Sequence, residues 1–377
     1  MTNISVIYYH SVGPKNPAWR KNFLTLELPF FEDQLKHFSK YYNIISLKEY
    51  WEIRNGLKEP VKNAIVLTFD DGYLDNWQYV YPLLKKYGLK GTLFVSPEFV
   101  DLKNTIRSNL EDVWNGKAKM KDLHQWGFLS WEEMRIMEES GVMDIQSHTM
   151  THTKYPVSDK LVGFHRPGAD CLYYTGNLFP EKKPYYIEDP EFAKLLPYGF
   201  PVFEMQSASI ARKVEINPEF INHCTKVLNN YNLSEYQFEK AFERVKDKYE
   251  EMRSSNTLII SRETEDAYQK RIRYEVFESK RIIEEKLNKT VEFLCWPHGD
   301  NNDLAHEMAM EAGYKATSLG KMPGSKPDNN RFDRLGLGQV RNNQFLSMLK
   351  ARYKIQSYRK KQPWIAIKNT YEFFRDL

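Results

Sequence analysis

The sequence is poor in cysteine and has no long apolar run. Its three cysteines, Cys171, Cys224 and Cys295, are too few and too far apart for a disulfide framework or a cysteine-rich zinc site. The first residues do not show the basic segment and apolar run of a secretion signal, and no stretch has the length of a membrane span. We therefore expect a cytoplasmic protein without a transmembrane segment, exported only if a leader has been trimmed away.

The chain also lacks a strong excess of charge of either sign. Its 54 basic and 50 acidic residues leave a net charge of +4, and the basic residues are spread along the chain. This distribution argues against a nucleic-acid partner. A hydrophobic content of 41% with 28% charged residues is typical of a folded globular protein. Aromatic residues, at 14%, can stack on sugar rings, although most aromatic side chains simply fill cores.

Short apolar strands alternate with helical segments in the first part of the chain. The strand candidates are Ile4–Tyr9, Ala64–Leu67, Gly91–Val95 and Val142–Ile145. This alternation predicts an α/β fold with a parallel sheet or barrel.

The alternation breaks after His152. Residues 154–198 are rich in Pro, Gly and Tyr, and the charged stretch Ser234–Lys286 has helical character with one break. We predict a barrel domain made of residues 1–154 and 262–377. Residues 155–261 would be an insertion, partly irregular and partly helical, that supplies substrate specificity or an oligomer contact.

Two polar motifs follow buried strands. Asp70 and Asp71 form an Asp-Asp-Gly motif after one strand, and His148 and His152 form a His-x-x-x-His motif after another. Two imidazoles and a carboxylate can bind a divalent metal such as zinc and leave one position open for water. The two histidines would face the same side if their segment turns helically. One aspartate could then bind the metal while the other acts as general base on the bound water.

Each motif alone has a plainer interpretation. An Asp-Asp-Gly sequence is more often a turn, and an isolated His-x-x-x-His is more often part of a surface or core. Together, at the carboxyl ends of strands in successive βα units, they are far less easily explained by chance, because active sites of parallel barrels lie at that end.

The motifs and their flanks resemble those of a known family. Thr68–Tyr73 and Ser147–His152, supported by Tyr81–Val95 and Leu129–Met134, resemble the polysaccharide deacetylases, the NodB-homology carbohydrate esterases of carbohydrate esterase family 4. The resemblance covers roughly residues 4–150 and 274–340. It implies a distorted, incomplete (β/α) barrel that removes an N-acetyl, sometimes O-acetyl, group from a sugar.

The resemblance also implies roles for individual residues. Asp70 would be the general base, and Asp71, His148 and His152 would bind the metal. The backbone N–H of Tyr73 would help the metal to stabilise the oxyanion.

The sequence departs from the family pattern at two catalytic positions. Cys295 stands where the family has an arginine that supports the base, so the group that tunes Asp70 is open. The family's late Leu-x-His general acid is missing as well. The motif layout is closest to the circularly permuted poly-N-acetylglucosamine deacetylases, whose acid comes from a Tyr-His near the amino terminus. Tyr9-His10 is similar, so we expect His10 to be the acid, with a purely structural histidine as the alternative.

Two loops complete the predicted site. Trp296, Pro297 and His298 would lie on the substrate side, with Trp296 packing or stacking on a sugar and His298 as the second candidate acid. Phe164–Gly168 locally resembles the missing arginine motif but follows His152 too soon, and we interpret it as a loop over the site.

We therefore predict a metal-dependent hydrolase acting on an acetylated amino sugar, a component or precursor of a surface polysaccharide. Its cofactor would be one divalent ion, zinc first, with Fe, Ni or Co as alternatives. Two other functions stay open, namely a catalytically silent carbohydrate-binding relative and a metal-dependent amidase acting on a non-sugar amide.

Overall fold

The computed structural model describes residues 4–123, 125–228, 237–320, 328–340 and 343–360. The predicted beginning of the charged helical stretch, at Ser234, lies outside these residues. Within them, no helix is long and apolar enough to cross a membrane.

A parallel sheet of short, mostly buried strands forms the centre of the molecule. Numbered in chain order, the strands lie side by side as β14 (Arg331–Phe332), β13 (Ala316–Ser318), β12 (Phe293–Leu294), β7 (Met143–Ser147), β6 (Gly91–Val95), β5 (Ala64–Phe69), β1 (Ser5–Tyr9) and β15 (Leu335–Gly336). The short strand β4 (Asn43–Ile44) pairs with the beginning of β5. Nearly continuous apolar runs suit such strands, because both faces of the sheet are covered.

The two edges of the sheet are adjacent in the chain. Only Asp333 and Arg334 separate β14 from β15, so the two edges can be at most about 11 Å apart. The sheet must therefore curl round into a barrel. No hydrogen-bonded pairing joins β14 to β15 among the described residues, so the barrel is incomplete. This confirms the predicted distorted, incomplete (β/α) barrel.

Helices pack against the sheet, and hydrogen bonds at their first residues fix where they begin. Ser130, for example, accepts a hydrogen bond from the N–H of Glu133, whose carboxylate accepts one from the N–H of Ser130, which fixes the start of α5. The helices of the barrel are α1 (Leu28–Tyr41), α2 (Leu47–Arg54), α3 (Tyr81–Lys86), α4 (Leu110–Trp114), α5 (Trp131–Glu139), α10 (Glu265–Arg273), α11 (Ser279–Leu287), α12 (Asp303–Glu311) and α13 (Gln344–Tyr358). Two further short strands, β2 (Ser11–Val12) and β3 (Thr25–Leu26), pair with each other.

The predicted insertion holds more strand than expected. Strand β8 (Lys154–Phe164) pairs antiparallel with β9 (Pro201–Ser207), and β10 (Val214–Ile216) pairs antiparallel with β11 (Ile259–Arg262). The helices between them are α6 (Leu172–Leu178), α7 (Pro218–Leu228), α8 (Phe238–Glu243) and α9 (Lys246–Ser254). All of these elements except α6 share an apolar core of their own, which includes Phe203, Phe220 and Met252. The division into two units at residues 155 and 261 stays a prediction.

One expectation for this region was wrong, and a second was incomplete. The tract after His152 is not irregular at its start, because the 11-residue strand β8 lies there. Buried and exposed residues do not alternate along β8, so the sequence shows no strand pattern for it. The charged stretch does break, as predicted, but the break contains a strand, because β11 separates α9 from α10. Pairing with β10 overrides the local helical preference there.

Asp75 is a half-buried carboxyl group close to the end of β5. It accepts a 2.5 Å hydrogen bond from Ser11 Oγ, yet burial raises its pKa to about 7. A raised pKa means that the folded protein binds a proton that the unfolded chain has lost, so this group reduces stability as pH rises from about 4 to about 7.

We expect Asp75→Asn to remove most of this pH dependence. The free energy of unfolding of the native protein should fall by up to about 4 kcal/mol across that interval relative to the variant, since each pKa unit corresponds to about 1.4 kcal/mol. Urea unfolding at pH 4.5, 6.0 and 7.5 measures both slopes. Equal slopes would show that Asp75 is ionised throughout.

Candidate active site

The carboxyl ends of the parallel strands carry the polar residues of the site. His10 follows β1, Asp70 and Asp71 follow β5, and His148 follows β7. Because parallel strands end at the same edge of the sheet, residues that are far apart in the chain meet there. The structure brings all four together.

Asp71, His148 and His152 form a compact cluster. The Nε2 atoms of His148 and His152 lie 3.2 and 3.1 Å from Oδ1 of Asp71, and the three residues offer ligand atoms within 4.8 Å of one another. Oδ1 of Asp71 is buried and has no hydrogen-bond partner among the described residues, although both ring nitrogens approach it. One carboxylate oxygen and two imidazole nitrogens are a donor set that zinc takes. These three residues therefore fit a divalent metal ion.

The electrostatics of Asp71 and His152 suit metal binding, whereas the contacts of His148 with Cys295 and Asp71 outweigh burial and raise the pKa of that ring. Burial alone would raise the pKa of Asp71, but the adjacent rings of His152 and His148 hold it well below its usual range. Burial also lowers the pKa of His152, so that this ring is neutral near pH 7. An ionised carboxylate and a neutral imidazole are the forms that bind metal ions.

The two histidines converge without the helical turn that their spacing suggested. Residues 148–152 form an irregular loop, in which Thr149 and His152 have φ angles of 64° and 43°. Asp71 is also left-handed, with φ of 73°. Positive φ is uncommon outside glycine, and such strained residues concentrate at functional sites. The loop geometry, rather than helical periodicity, brings both rings to Asp71.

Cys295 orients the ring of His148 through its backbone carbonyl. Nδ1 of His148 lies 2.7 Å from the carbonyl oxygen of Cys295, which leaves Nε2 directed at Asp71. Asp70, His148 and Cys295 also lie close enough together to hold an ion. We assign the metal to Asp71, His148 and His152 instead, because the carbonyl of Cys295 already engages His148 and Asp70 has a partner of its own.

That partner is Arg334, which the sequence did not identify. Arg334 Nη1 donates a 2.6 Å hydrogen bond to Oδ1 of Asp70, and only 12% of the Arg334 side chain and 3% of the Asp70 side chain are exposed. Burial would raise the pKa of Asp70, but the Arg334 guanidinium, helped by His10 and His148, keeps it below its ordinary value. Arg334 therefore keeps the carboxylate ionised, the role left vacant by Cys295. It reaches Asp70 because it lies between the two edge strands of the barrel.

His10 lies on the other side of Asp70. Its Nε2 is 3.7 Å from Oδ2 of Asp70, and about a quarter of its side chain is exposed. The ring therefore has access to both the base and the solvent. Its role as general acid stays a prediction.

His298 lies next to the metal cluster. Its ring centroid is 4.9 Å from that of His152, and its Nε2 lies 3.0 Å from the hydroxyl of Tyr173. Burial lowers the pKa of His298 to about 2, which leaves it neutral at ordinary pH. A neutral ring has no proton to spare as a general acid, so this geometry favours a hydrogen-bonding role.

Trp296 and Pro297 are not available to a substrate. Both are buried, and Trp296 is 1% exposed within the main apolar core. Of the two roles predicted for Trp296, packing is confirmed, and the alternative that its indole stacks on a sugar was wrong, because the ring is buried in the main core.

Tyr73 lies two residues after Asp71, at the wall of the site. Gly72 between them has φ of 74°, and a Cβ there would lie 3.0 Å from Cγ1 of Val95, so this turn requires glycine. The hydroxyl of Tyr73 interacts with Asp71 and Tyr186, and burial keeps its pKa well above the usual value. The oxyanion role of its backbone N–H stays a prediction.

An apolar pocket opens beside Asp71 and His152. Its walls include Phe99, Phe128, Leu172 and Tyr186. The last two belong to residues 155–261, so the insertion forms part of the site.

The loop Phe164–Gly168 does not line this pocket. His165 bonds instead to Ala193 and Phe200, elsewhere in the insertion.

Comparison with known proteins agrees with this arrangement. Residues 58–163 match the family model described as polysaccharide deacetylase. The chain is 29% identical over 150 residues to the "Putative polysaccharide deacetylase YxkH" of Bacillus subtilis (strain 168), covering 40% of this chain and 43% of that protein. It thus spans less than half the length of this relative.

Solved structures resemble the whole barrel. A de-N-acetylase from Aggregatibacter actinomycetemcomitans has a TM-score of 0.50 at 17% identity, covering 88% of this chain and 94% of that one. The BpsB deacetylase domain from Bordetella bronchiseptica has a TM-score of 0.49 at 17% identity, covering 88% and 95%. At such low identity we take only the fold from the first of these.

The matched segment contains the Asp-Asp-Gly and His-x-x-x-His motifs, whereas His10, Cys295 and Arg334 lie outside it. The family model and the relative confirm the resemblance of this chain to the polysaccharide deacetylases, and the first of the solved structures agrees with it in fold.

Proposed function

We propose that this protein is a zinc-dependent carbohydrate deacetylase that removes N-acetyl groups from an amino sugar of a surface polysaccharide or its precursor. One observation carries the proposal. Asp71, His148 and His152 converge as a metal-binding set, while a second carboxylate, Asp70, lies beside them, ionised and outside the set.

Each residue then has a task. Asp71, His148 and His152 hold the ion, which when bound polarises the acetyl carbonyl and lowers the pKa of a water molecule. Asp70 accepts the proton of the attacking water, and Arg334 keeps it ionised for that purpose. The backbone N–H of Tyr73 donates to the developing oxyanion. The apolar walls formed by Phe99, Phe128 and Leu172 exclude bulk water from the acetyl group.

His10 is the residue that we assign to protonating the leaving amine. It lies within 3.7 Å of Asp70 and is partly exposed, so it can take up a proton from solvent between turnovers. His298 is the weaker candidate, because burial lowers its pKa to about 2. Its hydrogen bond with Tyr173 fits substrate positioning better.

The proposal is tested by acetate release together with metal content. The purified chain is analysed for bound metal, then assayed with N-acetylated glucosamine oligomers before and after chelation, and again after zinc is added back. We expect zinc-dependent acetate release, with O-acetylated sugars as poorer substrates. His152→Ala should lose both metal and activity.

Other outcomes separate the competing functions. Stoichiometric metal with no turnover of any amide would indicate a silent carbohydrate-binding relative. Hydrolysis of small non-sugar amides alone would indicate an amidase. A wild-type protein that binds no divalent ion would refute the proposal. Localisation and oligomeric state stay predictions.

A further inference from the structure

The loop between the two histidine ligands cannot be stable by itself. Thr149 and His152 are both left-handed, and each such residue costs about 1–3 kcal/mol unless its surroundings hold it. A relaxed loop would move His152 away from Asp71. Contacts from outside the loop must therefore fix the spacing of the ligands.

Glu275 provides the first of these contacts. Its buried carboxylate accepts hydrogen bonds from the N–H of Met150 at 3.1 Å, the N–H of Thr151 at 3.0 Å and the hydroxyl of Thr151 at 2.5 Å. These bonds satisfy the N–H groups of the loop and leave the carbonyl of Thr151 facing another partner.

Lys183 from the insertion provides the second. Its Nζ donates to the carbonyl oxygen of Thr151 at 3.0 Å and pairs with Oε2 of Glu98 at 2.5 Å, although the residue is only 2% exposed. Glu98 in turn donates its backbone N–H to the carbonyl of Met150. Burying an ammonium group costs free energy unless it is paired. Because Lys183 Nζ is buried, it must keep both of its partners, the carboxylate of Glu98 and the carbonyl of Thr151, and its position is therefore well defined.

We propose that Lys183 is a positioning residue for the metal centre. Together with Glu275 it holds Thr151 from both sides, sets the separation of His148 and His152, and makes metal affinity depend on the insertion. The proposal extends the metal role assigned above. It gives residues 155–261 a task in the site itself, besides lining the pocket.

The chain offers a way to displace Lys183 without removing any polar group. A methyl group on Gly176 would lie 2.9 Å from Cε and 3.0 Å from Cγ of Lys183, so the side chain would have to move. Gly176 is within α6, where alanine is the better helix former by about 0.5–1 kcal/mol. Gly176→Ala should therefore weaken metal binding without weakening the helix.

The experiment measures zinc dissociation constants by competition with a chromophoric chelator. Lys183→Met and Gly176→Ala should each raise the constant about 10–100-fold, as expected when a partner behind a metal ligand is lost. Lys289→Met is the matched control. Lys289 pairs with Glu138 and with Asp144, at the other end of β7 from His148, and 12% of its side chain is exposed, against 3% for Lys183.

The control should leave zinc affinity unchanged even if it lowers the melting temperature. Unchanged affinity in both test variants would overturn the proposal, as would equal losses in all three variants. Zinc binding without acetate release would refute the proposed function, but the comparison of zinc dissociation constants among the variants would still test the role of Lys183. If Lys183→Met does not fold, Gly176→Ala alone decides the result.

Discussion

Asp70→Asn is expected to lower kcat for acetate release by about 10²–10⁴-fold, the contribution typical of a well-placed general base. The amide keeps the size of the side chain and can still accept from Arg334, but it cannot take the proton of the attacking water. Steady-state kinetics on an N-acetylated oligosaccharide measure the loss.

Metal content separates this effect from a damaged metal site. Asp70 lies outside the set formed by Asp71, His148 and His152, so Asp70→Asn should retain stoichiometric zinc. Asp71→Asn is the comparison, since it changes a ligand and should lose metal. If Asp70→Asn kept full activity, Asp70 would not be the base. If it lost zinc as readily as Asp71→Asn, the two aspartates would share the metal.

The sequence predicted the metal cluster because its motifs are local. Asp71 and His148 each follow an apolar strand directly, and parallel strands end at one edge of a sheet, so periodicity and order suffice to bring them together. The conformation of the histidine loop was not predictable in the same way. It depends on Lys183 and Glu275, which lie 32 and 124 residues after Thr151 in the chain and form no motif with the histidines.

Arg334 was missed for a related reason. It lies 264 residues from Asp70, and its place is set by the near-closure of the barrel between β14 and β15. The sequence contained only an indirect indication of it. Cys295 replaces the family arginine, and a buried carboxylate without a nearby cation should not stay ionised. That argument requires a basic residue near Asp70 but does not say which one. Trp296 shows the opposite limit, since a position in a site loop does not reveal burial.

Arg334→Met is expected to move the acidic limb of the kcat/KM profile to higher pH. Burial raises the pKa of Asp70 and the Arg334 guanidinium lowers it, so removing the cation leaves burial unopposed. The base must be ionised to act, and the variant should therefore need a higher pH to reach its maximal rate. Activity at pH 6 should fall more than activity at pH 9. Profiles from pH 5 to 9 measure the shift.

The same substitution should destabilise the fold by about 3–5 kcal/mol near neutral pH, the cost of breaking a buried ion pair. Arg331→Met controls for loss of a buried arginine, because Arg331 is 5% exposed, lies on β14 and pairs with Asp303 instead of Asp70. It should lower stability without moving the acidic limb.

A double-variant cycle decides whether the two residues act as one unit. In the Asp70→Asn background residue 70 carries no charge for Arg334 to neutralise. Arg334→Met should therefore change the free energy of unfolding by a different amount there than in the native protein, with a coupling of about 1–3 kcal/mol. Additive losses, together with an unmoved acidic limb, would show that Arg334 only fills space between the edges of the barrel. A coupled loss with a shifted limb would establish that the late arginine tunes the base from a position that the family motif does not contain.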